Sequence, residues 1–321
     1  MSQGGTGIVE GLTAGFKSKY PEVQVESTVG NGGEIATKLL TQRQAGRFEV
    51  DVVVHGTTTM IADLMPAGAI EPIGPFLVGP NDSDPAKWTG GRFEFADEAG
   101  KYDLIFTGAV KVPFMYNPNA VSPGEFKTYK DLLQPKWRGK LAMIDPRDAG
   151  PGLATATFFY TIPSLGKDYL KQLFGQGVVL TRDFRQLADW VARAQYPIGL
   201  GASDTAAFEL KQKGVPIEFL SPEALQEGSY LTSGWGSVAV VNRAPHPNAA
   251  RLYLDWLLSK EGQQSVARAA GYPSRRLDAS IDGLPPAMVP KPGVEYQENS
   301  KEQYVRLKEE VVGFLKTVIS G

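Results

Sequence analysis

The sequence holds no cysteine. Disulfides, thiolate nucleophiles, zinc–thiolate centres and iron–sulfur clusters are excluded together. Histidine is nearly as scarce, with only His55 and His246, so a multi-histidine metal centre is excluded as well. No run approaches the ~20 consecutive apolar residues of a membrane-spanning helix. The opening MSQGGTGIVEG has no basic start followed by an apolar stretch, and any signal peptide is expected to be absent from this sequence. Charge of one sign is missing too. With 33 Lys plus Arg against 35 Asp plus Glu, the formal net charge is −2, which supports neither a nucleic-acid groove nor a polybasic membrane patch. There is no low-complexity tract and no repeat of fixed period.

What is present fits a folded α/β chain. The 321 residues are 42% hydrophobic and 21% charged, apolar enough for real cores, and about twice the ~150 residues usually allotted to one domain. Ile8, Val9, Leu12 and Phe16 fall at helical spacing, and Val23, Val25 and Val29 alternate as on a strand face. A helix with Ile35, Leu39 and Leu40 follows the turn Gly30–Gly33. Then come the strand Val50–Val54 and a helix with Met60, Ile61 and Leu64. This alternation predicts a parallel sheet covered by helices. Residues 72–101 read as irregular, and Leu104–Phe106 and Val112–Tyr116 as extended. A second α/β unit opens at Leu141–Ile144. It continues with helices near 152–162 and 183–194, the strand Pro197–Leu200, a helix near 204–213, and the strand-like Val215–Leu220 and Ser237–Val241. Helical patterns from Pro247 onward and a last helix near 301–317 close the chain. Two lobes with crossovers between them predict a ligand in the cleft they form.

Four Gly/Ser/Thr-rich turns stand directly before helices: Gly4-Gly5-Thr6, Gly30–Gly33, Gly56–Thr59 and Gly150–Gly152. Backbone amides at the positive end of a helix bind anions, although each turn taken singly is also an ordinary cap. None fits a dinucleotide or phosphate-loop fingerprint. Arg147, in Asp145-Pro146-Arg147-Asp148, either grips an anion through its planar fork or pairs with Asp145 or Asp148. Ser203 either caps a helix or contacts ligand. Trp235, between two glycines, either stacks on ligand or packs at a hinge. His55, beside a strand end, reads as structural. No nucleophile elbow, His-Glu-x-x-His or acid–base pair argues for an enzyme.

Three stretches carry a resemblance. They are Asp131-Leu132-Leu133 with Pro135–Leu141 and Asp145-Pro146; Asn242–Ala250 running into Trp256–Gln263; and Gly271-Tyr272-Pro273-Ser274-Arg275. In this order they resemble bacterial ABC-transporter extracellular solute-binding proteins of the ferric-iron, thiamine, phosphonate and polyamine branch. The resemblance implies a two-lobed type II periplasmic binding protein fold with a ligand cleft between lobes. Lobe 1 would comprise 1–110 plus 234–285, and lobe 2 would comprise 111–233 plus 286–321, hinged near 108–112 and 233–237. It further implies a periplasmic or extracellular site of action, a membrane permease as partner and a small-molecule solute, with a monomer, no cofactor and no nucleic acid expected.

The iron-binding members hold their metal with two adjacent tyrosines. This chain has Ala202-Ser203-Asp204 there, so a metal site is not expected. The family's apolar strand before the first helix would precede Met1. By position, the site would be lined by Ser2, Gly5, Thr6, Gly32, Gly33, Gly56, Thr57, Thr58, Arg147, Gly150, Ser203 and Trp235. This set is polar, neutral to cationic and rich in backbone donors. It predicts a small carboxylate, phosphonate or other oxyanion over a polyamine. The alternative is ferric iron held without the tyrosine pair. A hydroxymethylbilane-synthase-like enzyme lacks its cofactor-bearing cysteine here, and a transcription regulator lacks a DNA-binding segment.

Overall fold

The helical spacing of Leu12 and Phe16 buries both side chains on the helix Thr6–Lys19, the first element of the computed structural model, which describes residues 6–81, 84–202 and 210–319. The chain divides into two units, each built from separated segments. Unit 1 is Met1–Ala109, Thr232–Pro290 and Ser300–Val305, and unit 2 is Val110–Leu231, Lys291–Asn299 and Arg306–Gly321.

In unit 1 the strands Val52–His55, Ser237–Val241, Leu104–Ile105 and Glu94–Phe95 lie side by side in that order, and Ile70–Glu71 pairs with the far end of Ser237–Val241. Every ladder of this sheet among the described residues is antiparallel. The parallel sheet expected for this half is therefore corrected. Its central strand arrives late in the chain, after the excursion into unit 2, and runs against both neighbours. Being central, Ser237–Val241 is buried at every residue, which suits its unbroken apolar run.

Register and pleat sort the two faces. His55 lies opposite Ser237, which lies opposite Ile105, while Val54, Val238 and Leu104 form the adjacent row. Val54, Val238 and Leu104 pack with Leu12, Phe16, Leu254, Trp256 and Val266. On the other face Val53 and Ala239 pack with Ile35, Leu39, Met60 and Leu64. Met60 and Leu64 belong to Thr59–Leu64, which is a π-helical turn closed by the Met65 amide on the Met60 carbonyl. Thr6–Lys19 crosses Lys260–Ala270 closely. A methyl on Gly11 would stand 2.9 Å from Ala269 Cβ, and one on Gly15 2.9 Å from Ser265 Oγ.

Val23–Val29 forms no strand in the described structure beyond an isolated bridge residue at Val29. Val23 and Val25 instead lean on the core as part of a loop. Alternation alone places side chains but provides no ladder partner.

Unit 2 has the strand order Glu218–Phe219, Met115–Tyr116, Ile198–Leu200, Leu141–Ile144 and Val179–Thr181. Leu141–Ile144 pairs parallel on both sides, so the parallel arrangement appears in this half. The strand Val179–Thr181 and the amphipathic helix Gly166–Gly175, with Tyr169, Leu170 and Leu173 buried, were not read from the sequence. Pro151–Thr161 and Phe184–Ala192 are helical. Most of the helix expected near 204–213 lies outside the described residues. The helix Glu302–Val318 contributes Val311 and Leu315 to the core of this unit, and Ile319 joins them just after it.

Candidate functional site

In unit 1 the site is built where a helix begins beside a strand end. Asn31 caps Gly32–Gln44: its side chain accepts from the Glu34 amide at 3.0 Å, and Glu34 returns a bond to the Asn31 amide at 2.9 Å. This reciprocal box satisfies the third helical amide. The amides of Gly32 and Gly33, at the positive end of the helix, take no part in it. A methyl on Gly32 would fall 2.3 Å from Thr59 Oγ1 and 3.4 Å from His55 Cε1, so the helix start, the strand end and the π-helical turn meet where only glycine fits. Gly56 and Thr58 are half-buried, and Thr57 and Thr59 are buried. The structure thus brings Gly32, Gly33, Gly56, Thr57 and Thr58 into one corner.

His55 is the residue of this corner that sequence reading undervalued. Its carbonyl accepts from Ser237 Oγ at 2.7 Å. Its ring is 1% exposed, and neither ring nitrogen has a hydrogen-bond partner among the described residues. Burial pushes its pKa down. The Gly30 and Gly56 backbone groups only partly oppose this. The ring is therefore a neutral imidazole at neutral pH. Its position directly before a glycine–threonine turn was the available signal.

In unit 2 the helix Pro151–Thr161 starts against the end of Leu141–Ile144. A methyl on Gly152 would lie 2.3 Å from the Ile144 carbonyl oxygen, and Gly201, at φ +64°, would bring one 2.8 Å from Gly152 Cα. Gly150 occupies the cap position with no side-chain bond to the helix. Arg147 folds back on Asp145, with Nε to Oδ1 at 2.9 Å and Nη2 to Oδ2 at 2.8 Å. That fork, with Arg182 nearby, holds the Asp145 carboxyl below the usual range. Of the two readings of Arg147, the structure shows the intramolecular pair. Lys111, unnoticed in the sequence, is buried, and its ammonium donates to the Ala202 carbonyl. A lysine within the extended apolar run Ala109–Met115 was its signal.

Trp235 is 7% exposed and meets Phe106 edge-on at a centroid distance of 6.0 Å, so its indole is occupied by packing. Ser2, Gly5 and Ser203 lie outside the described residues. Thr6 opens the first helix, and its side chain is outside the description. Among the described residues no group of three or more His, Asp or Glu could hold a metal ion, and no helix is long and apolar enough to cross a membrane.

Solved periplasmic binding proteins share this fold. AfuA from Actinobacillus pleuropneumoniae, solved with fructose-6-phosphate, is similar at TM-score 0.71 and 19% identity over 99% of this chain and 96% of its own. Iron-bound HitA from Pseudomonas aeruginosa is similar at TM-score 0.72 and 17% identity over 98% and 97%. A model of the bacterial extracellular solute-binding proteins matches residues 1–272, and the chain belongs to that family. A Haemophilus influenzae protein is 31% identical over 140 residues, 43% of this chain and 39% of that protein. The match therefore spans about two fifths of that relative's length. Members of the family are extracellular or periplasmic proteins that bind a small solute for an ABC transporter.

Proposed function

We propose that this protein is the solute-binding component of an ABC importer whose solute is a small oxyanion, an organic carboxylate, phosphonate or phosphate ester. The observation that carries this reading is the corner of unit 1. There the glycine start of a 13-residue helix stands beside a buried imidazole without a hydrogen-bond partner among the described residues. A helix start of this kind favours negative charge, and a buried polar group without a partner calls for one from a ligand. Unit 2, taken by itself, has Gly150 at a helix start of its own, while its Lys111 ammonium is engaged by the Ala202 carbonyl. Arg147 and Trp235, engaged within the protein, are left out of the assignment. Fructose-6-phosphate in AfuA and citrate with iron in a Trichodesmium protein of the same fold are solutes of compatible chemistry.

Thermal-shift and calorimetric titration of the full chain test this with phosphate, citrate, a hexose phosphate, a phosphonate and spermidine. A ligand at about 100 times its Kd adds about 2.7 kcal/mol, so binding of any of these anions is visible. Binding of spermidine alone overturns the reading. A shift that requires ferric ion beyond the citrate control replaces the organic anion with iron.

A further inference from the structure

We infer that the segment Tyr272–Arg275 is a clamp on the unit-1 ends of two chain crossings, so that hinge bending is confined to the dipeptides Ala109-Val110 and Leu231-Thr232. The chain leaves unit 1 between Ala109 and Val110 and returns between Leu231 and Thr232. On the outgoing side the Arg275 amide donates to the Phe106 carbonyl at 2.9 Å, and the Gly108 amide to the Pro273 carbonyl at 3.0 Å. Pro273–Arg275 therefore runs antiparallel beside Phe106–Gly108. The Arg275 guanidinium adds a bond from Nε to the Thr107 carbonyl at 3.0 Å and covers Gly108, where a methyl would meet it at 3.1 Å. On the returning side the Tyr272 ring covers Gly234, at φ +57°, where a methyl would fall 2.8 Å from Cε1. Thr107 Oγ1 donates to the Ser233 carbonyl at 2.7 Å, which ties the two crossings together. Ser300, at a further crossing, accepts the Ser233 amide at 2.7 Å.

Within unit 2 the chain is fastened again almost at once. The Lys111 amide donates to the Tyr230 carbonyl at 2.9 Å, the Ser229 hydroxyl donates to the Lys111 carbonyl, and the Leu231 carbonyl accepts the Asn299 amide at 3.0 Å. Between the two sets of anchors lie only Ala109-Val110 and Leu231-Thr232. A hinge is a few residues that absorb a φ/ψ change while the bonded elements on either side move as bodies. Gly108 and Gly234 have by themselves the greatest backbone freedom on these paths. Covering both from one segment removes that freedom and shortens the hinge. The hinge expected near 108–112 and 233–237 is narrowed accordingly, and the stretch Gly271–Arg275, which the oxyanion corner does not use, acquires a role.

The sequence holds no cysteine, so spin labels go only where one is introduced: at the exposed positions Glu22→Cys in unit 1 and Gln172→Cys in unit 2. Double electron–electron resonance on the full chain, without solute, then reads the distribution of distances between them. Against this labelled parent, Tyr272→Ala combined with Arg275→Ala should broaden the distribution. Tyr272→Phe, which keeps the ring over Gly234, should retain the parent width. Asn31→Ala, which weakens a helix cap of unit 1, should lower the Tm and leave the width unchanged, separating loss of the clamp from loss of stability. If the double variant does not fold, Tyr272→Ala and Arg275→Ala are read singly. An unchanged width in the folded clamp variants, or equal broadening in Asn31→Ala, overturns the inference. No solute enters the measurement, so its failure leaves the oxyanion reading standing.

Discussion

Asp103 shows what a single residue does to the stability of unit 1. It is fully buried, and neither carboxylate oxygen has a hydrogen-bond partner among the described residues. Two groups face it. Ser237, on the central strand, already donates to His55; Asp97 already accepts the amides of Lys101, Tyr102 and Asp103. Burial holds the Asp103 carboxyl well above the usual carboxylate range; the Ser237 hydroxyl opposes this, and repulsion from Asp97 adds a smaller push upward. The folded state thus keeps a proton that the unfolded chain releases. The stability this provides is complete below the unfolded pKa and is lost as pH rises towards the folded value. Asp103→Asn should raise the Tm relative to wild type at about pH 8, with the difference shrinking towards about pH 4. Scanning calorimetry across that range checks it, and a difference that grows on acidification refutes it. In the sequence Asp103 stands just past the irregular residues 72–101 and before the extended Leu104–Phe106, with nothing to single it out. Ser237, which faces it, comes from a strand more than a hundred residues away, which local pattern does not reveal.

Among the secondary-structure elements, glycines divide into those that make a turn and those that let backbones touch. Gly152 is of the second kind, since a methyl there meets the Ile144 carbonyl at 2.3 Å and backbone cannot swing aside. Gly33 is of neither kind: it is helical, and its nearest contact is 3.7 Å away on the Asn31 side chain. Gly152→Ala should therefore cost about 1–3 kcal/mol by overpacking, a fall in Tm of several degrees, whereas Gly33→Ala should leave the Tm nearly unchanged. Thermal melts of the two variants distinguish them, and equal melting points would contradict the close packing of Pro151–Thr161 on its strand. Both glycines were read from the sequence as parts of turns before helices; both lie in the first turn of the helix itself. The sequence could not separate them, because the carbonyl that excludes a side chain at Gly152 belongs to another element. The capping box at Asn31 was more legible, since its two partners are three residues apart. Asn31→Ala should lower stability by about 1 kcal/mol, measured by denaturant titration, and should loosen the helix start beside His55.

At the scale of the molecule, the α/β class followed from alternating periodicities, and the correction concerned strand direction. The sequence orders strands along the chain, but in unit 1 the strand that takes the centre of the sheet is the last of its strands to be made. The same interleaving governs the C-terminal helix. Its start belongs to unit 1, where Lys301, just before the helix, pairs with Glu94, and Glu302 accepts the Glu98 amide at 2.8 Å. From Arg306 onward it belongs to unit 2, where Val311, Leu315 and Ile319 are buried in the core. Burying three such side chains is worth about 1.5–3 kcal/mol each, which together rivals the ~5–15 kcal/mol stability of a typical protein. Deleting residues 306–321 should then cost unit 2 its cooperative fold while unit 1 keeps its own core. Amide hydrogen exchange separates the two. Protection should be lost in Pro151–Thr161, which belongs to the core that receives those side chains, and retained in Ser237–Val241, whose partners all lie in unit 1. Protection retained in both would mean that the remaining aromatic cluster of Phe126, Tyr129, Phe158 and Phe159 holds unit 2 together without its final helix.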